Sequence, residues 1–168
     1  GAVTLSGAVT ANTLTTFAQG YGVSLLGGGT ITTDTTFLNT GAITIGDGTG
    51  DTTTFTGGLD MTAGGSENLA GTIIATNQQI DVGAANVSAD ATIDGGSGAI
   101  NLGAMTLSDG ATLTVGTGGS GAPTITSVSG TASGTASNLT LNTTGTASVG
   151  AVGTDLGTVT VTQSGGTT

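Results

Sequence analysis

A repeat of about 20 residues constrains this chain more than any other feature of its sequence. The triplet Thr-Thr-Phe occurs at Thr15-Thr16-Phe17, Thr35-Thr36-Phe37 and Thr53-Thr54-Phe55. Each copy is followed by a Gly and a short run that alternates apolar and polar residues: Val23-Ser24-Leu25, Ile43-Thr44-Ile45 and Leu59-Asp60-Met61. The same signature continues at Ile80-Asp81-Val82, Ile100-Asn101-Leu102, Leu139-Thr140-Leu141 and Val159-Thr160-Val161. Seven steps of nearly the repeat length lead from Val23 to Val159 if one degraded coil lies near 119–126. A second row passes through Thr72-Ile73, Thr92-Ile93 and Leu113.

Alternation of period two turns the flanking apolar residues to one side of a strand and the middle polar residue to the other. Gly27-Gly28-Gly29, Gly64-Gly65 and Gly118-Gly119 lie between the runs and supply the backbone freedom of tight corners. Thr occurs 39 times, and most apolar residues are Val, Ile, Leu or Ala. β-Branched residues suit a pleated surface and are mediocre in helices. With 35% hydrophobic and 6% charged residues, the chain has the wrong composition for a segment kept unfolded by its charge.

Short strands with Gly corners suit either an antiparallel sandwich or a solenoid of stacked coils. Only the solenoid gives a reason for equivalent residues every 20 positions, since each then sits roughly 4.8 Å above its counterpart. The sequence therefore predicts an all-β fold, a parallel right-handed β-helix (β-solenoid) with about 20 residues per coil and roughly eight coils. Its length would be roughly 40 Å. Residues 1–168 read as a single module, one repeat unit or fragment of a longer chain, because Thr167 and Thr168 would continue into another repeat. An irregular stretch is expected near 116–134, where Pro123 marks a loop or broken coil.

The core is then predicted as stacked columns. One holds Ile73, Ile93 and Leu113, and another holds Ile43, Ile80, Ile100, Leu139 and Val159. Phe17, Phe37 and Phe55 are expected to form an internal aromatic column.

Charge limits the chemistry. The chain has ten Asp and Glu, no Lys, Arg or His, and a net charge of -10. It has no side chain to neutralise phosphates, so no nucleic acid and no anionic membrane is expected as a partner. Lys-based Schiff bases, His triads, thiol nucleophiles and the usual zinc ligands are absent from the sequence.

The segments Thr35-Thr36-Phe37-Leu38-Asn39-Thr40-Gly41, Ile43-Thr44-Ile45-Gly46-Asp47, Thr53-Thr54-Phe55-Thr56-Gly57-Gly58-Leu59-Asp60 and Leu69-Ala70-Gly71-Thr72 resemble the giant bacterial β-strand-repeat surface proteins. They are similar to filamentous-haemagglutinin and autotransporter-passenger sequences, most clearly over residues 15–115. The resemblance implies export to the bacterial cell surface, a right-handed β-helix, and a role in adhesion, matrix or envelope architecture. It transfers no functional residue, because the shared motif is structural.

Four features are candidates for chemistry. Thr32, Thr52, Thr72, Thr92 and Thr112 are each 20 apart and would form an outward Thr ladder, a pattern that also suits an ice-binding face. Asp60 and Asp81 would occupy one outward position in consecutive coils, followed by Asn101. Carboxylates stacked so closely repel unless protonated or bridged, which makes the pair a candidate for weak calcium binding. Gly46-Asp47-Gly48-Thr49-Gly50-Asp51 is similar to calcium-binding nonapeptide repeats, but Asp47 and Thr49 stand where that motif has Gly, so a turn is expected. Paired carboxylates could also serve glycoside hydrolysis, but Tyr21 and three Phe, with no cation, make a poor sugar site.

The expected function is non-enzymatic: a secreted structural module of an adhesin stalk, filament or matrix fibre, with no cofactor and with neighbouring copies as end-to-end partners. The alternatives are a pilin-like β-sandwich assembled by donor-strand pairing, and an ice- or calcium-binding solenoid.

Overall fold

The computed structural model describes residues 1–131 and 134–163, and it contains strands, turns and loops without a helix among them. Thr167 and Thr168 lie outside the described residues, as do Ala132 and Ser133 within the 116–134 stretch. Among the described residues, seventeen strands join one continuous sheet, and every strand pairing in it is parallel. The chain is therefore a β-solenoid of about eight coils, and the antiparallel sandwich is overturned.

Most coils contribute strands to three faces, and the first contributes Ala2–Leu5 and Val9–Ala11 to two. On the first face, Val3, Val23, Ile43, Glu67, Ala85, Met105, Val128 and Val152 form one column, each pairing with the next. On the second, the column is Val9, Gly29, Thr53, Ile73, Ile93, Val115, Leu141 and Val161. On the third, Thr35, Leu59, Ile80, Ile100 and Pro123 stack in the same way. Long strands such as Ser66–Ala75 and Ala85–Asp94 pass from the first face to the second, with a register shift between Val87 and Ala91 at the turn. All three columns point into one core, where Ile43, Ile73, Ile80 and Ile93 are fully buried. Burying each such side chain contributes about 1.5–3 kcal/mol against exposure.

Coils differ in length. The step from Glu67 to Ala85 is shorter than the repeat, that from Gly29 to Thr53 is longer, and that from Val115 to Leu141 is longer still. Extra residues leave the stack at corners, so the faces stay in register. One tight corner is at Gly28 and Gly29, with φ of 68° and 124°, and a Cβ on Gly29 would overlap the backbone of Val9 one coil below. Only Gly fits that approach.

This geometry corrects several predicted columns. Val23 and Ile43 belong to the first face, Leu59, Ile80 and Ile100 to the third, and Leu139 and Val159 to the second. Ile43 therefore does not stack with Ile80, nor Ile100 with Leu139. Leu113 stacks on Ala91, and the Ile73 and Ile93 column continues through Val115 instead. Phe37 and Phe55 meet edge to face, with ring centroids 6.4 Å apart at 75°, but Phe17 is 68% exposed. The residues before Phe17 alternate with opposite phase: Thr16 is buried, whereas in the next triplet Thr35 and Phe37 are. The degraded coil is also corrected: Pro123–Gly130 is a strand paired on both sides, and Pro123 opens it instead of marking a loop.

Candidate functional site

The polar residues that alternation sends outward form columns of their own. On the third face the column is Thr36, Asp60, Asp81, Asn101, Thr124 and Ser148, so Asp60 and Asp81 do occupy consecutive coils, with Asn101 next. The two carboxylates are held by different donors. Asp60 Oδ1 accepts from the backbone N–H and the hydroxyl of Thr62, at 2.9 and 2.7 Å. Asp81 accepts from Gln79 Nε2 and from Asn101 Nδ2, each at 2.7 Å. Thr124 then donates to Asn101 Oδ1 at 2.9 Å, which extends the ladder by one more coil. An open cleft of about 290 Å³ runs beside this column, lined by Asp34, Asp60, Asp81, Gln78 and Gln79. Among the described residues, no three His, Cys, Asp or Glu side chains are grouped to hold a metal ion.

The Thr ladder exists with different members. Thr52, Thr72 and Thr92 stack as expected, and the column then continues through Thr114, Thr140 and Thr160. Thr112 pairs with Asn138 instead, because the coil after Thr92 is longer than the one before it. Thr32 lies just past the strand Gly29–Ile31, and the register there brings Thr30 opposite Thr54. Beside the ladder, Thr10, Thr30 and Thr54 form a second column that ends at Ile74 and Asp94.

The segment from Gly46 to Asp51 is a closed turn. Asp51 Oδ2 accepts the backbone N–H groups of Asp47 and Gly48, at 3.0 and 2.9 Å. Those two hydrogen bonds favour the ionised carboxyl and hold it below the usual range. Similar links cross between coils elsewhere: Asp90 accepts from Thr112 N–H at 2.8 Å, and Asp109 from the Thr131 hydroxyl at 2.9 Å.

Sequence reasoning missed Glu67. Its side chain is buried in the first-face column between Ile43 and Ala85, and its Oε2 accepts from the Gly83 N–H at 2.9 Å. Burial is the main cause that pushes its carboxyl up to about 7. The Gly83 bond works against the shift, and the nearby Asp60 charge adds to it. Parity was the available signal: Leu69 faces inward, so the residue two before it on the same strand does too.

No family model matches the chain, and no curated protein or solved structure matches it.

Proposed function

We propose that this chain is a non-enzymatic structural module of an extracellular bacterial surface fibre, serving as a stalk, filament or matrix rod. The observation that carries the reading is the side-chain ladder joining Asp81, Asn101 and Thr124 across three coils. Asp81, Asn101 and Thr124 are tied to one another along the stack, and the stacked, hydrogen-bonded coils make a stiff element. The likeness of residues 15–115 to bacterial β-strand-repeat surface proteins supports the location. The reading is tested by labelling intact and permeabilised cells of the source bacterium with an antibody against the chain. Label on intact cells is expected, and label that appears only after permeabilisation would overturn it.

A second reading, an ice-binding face, is favoured by the six-member column from Thr52 to Thr160. Ile74 and Asp94 interrupt the neighbouring column and narrow that array. Thermal hysteresis lost on replacing Thr92 and Thr114 with Val would support it. Freezing indistinguishable from that of a control protein would dismiss it.

A further inference from the structure

We infer that two copies of the chain pair side by side through the outer surface of the first face, pointing the same way and related by a two-fold axis along the solenoid. The inference rests on the fibre reading above and names its partner.

The outer surface of the first face is built from two columns of unequal side-chain length. Thr44, Asn68, Asn86, Thr106 and Ser129 stack into a ridge. Two residues earlier on the same strands, Ala42 stacks with Ser66 and Ala104 with Ser127, and these short side chains leave a groove beside the ridge. An open cleft of about 390 Å³ marks the middle of that groove, with Ser66, Ala84 and Ala104 on one side and Asn68, Asn86 and Thr106 on the other.

A groove beside a parallel ridge is self-complementary under one operation. Turning a second copy by half a revolution about an axis along the solenoid lays its ridge over this groove and its groove over this ridge, coil against coil. That is an isologous contact, the commonest kind in homodimers. An axis across the solenoid would set ridge against ridge instead. The fit therefore selects a second copy as the occupant and fixes its direction.

Charge selects the same arrangement. The molecule has a net charge of -10, yet neither column contains Asp or Glu. The acid along the cleft, Glu67, is buried beneath it. Beyond the ridge, the corner into the second face carries exposed Asp47, Asp90 and Asp109. Beyond the groove, the chain reaches the first face through Gly41, Gly65, Gly83 and Gly103. Parallel pairing lays each acidic corner against the partner's uncharged one, whereas the crosswise alternative opposes acid to acid. At the spacing and rise of sheet strands the face measures roughly 38 by 13 Å, so a pair would bury about 1,000 Å², enough for a specific contact.

Sedimentation equilibrium of the full chain over a range of concentrations tests this. Wild-type protein is expected to form a dimer and no larger species. Ala104→Asp puts a charge in the groove, and Thr106→Lys puts one on the ridge. Each variant alone should dimerise with a dissociation constant raised about 10-fold or more. An equimolar mixture should recover much of the loss, because Asp at 104 then faces Lys at 106 of the partner, and this recovery also shows that both variants are folded. Thr114→Asp, on the second face, should leave dimerisation unchanged. Wild-type protein that stays monomeric, a first-face variant that dimerises as tightly as wild type, a mixture no tighter than its components, or an equal loss from Thr114→Asp would each overturn the inference. Surface label on intact cells with monomeric protein in solution would sink lateral pairing and leave the fibre location standing.

Discussion

Glu67 stands where the seven other coils place Val, Ile, Ala or Met. Below its ordinary value of 4.5 the carboxyl is protonated in both the folded and the unfolded chain. Between 4.5 and about 7 the unfolded chain releases the proton and the folded chain keeps it, so stability falls as pH rises through that window. Glu67→Gln preserves an acceptor for Gly83 and removes the titration. It should flatten this slope and stabilise the protein by about 1–2 kcal/mol at pH 8. Urea denaturation of both proteins at pH 5 and pH 8 checks this, and curves that stay parallel would refute it. The same scale explains Phe17. The triplet that contains it matches the other two in letters, but its phase is shifted by one position, which turns the ring to solvent.

At the level of elements, the inward and outward alternation of Val23-Ser24-Leu25, Ile80-Asp81-Val82 and Leu139-Thr140-Leu141 was legible in the sequence, as was parallel stacking at the repeat length. The face to which each run belongs was not. Most coils carry one such run on each of three faces, and their length varies from the short step between Glu67 and Ala85 to the long one between Val115 and Leu141. Runs spaced by nearly one repeat therefore join across faces as readily as along one. Asp60 and Asp81 were placed correctly because both lie on the third face in coils of nearly the repeat length. Thr112 and Leu113 were misplaced because the coil that leads to them from Thr92 is longer than the repeat. Length variation sits mostly at the corners, with register shifts also inside the pairings of Ala85–Asp94 and Ser137–Asn142. A single insertion between Thr92 and Ile93 would turn Ile93 out of its inward column and should destabilise the second face. A two-residue insertion after exposed Ser120 should cost under about 1 kcal/mol. Ile93→Ala, in the fully buried column, should cost about 2–5 kcal/mol, and chemical denaturation orders all three variants.

The whole molecule bears ten Asp and Glu and no basic side chain, so its surface electrostatics are mostly repulsive. Raising NaCl from about 10 mM to about 500 mM shortens the screening length from roughly 30 Å to a few ångströms and should raise the melting temperature. A fall over that range would contradict this account. Each coil contacts mainly its two neighbours. Hydrogen exchange is expected to be slowest in Ser66–Ala75 and Ala85–Asp94, paired on both sides, and faster in the turns between strands. The parallel stack also has a diffraction signature. Its strands run across the long axis and repeat along it at about 4.8 Å, so an aligned film of the native protein should give the meridional X-ray arc by which amyloid is usually diagnosed.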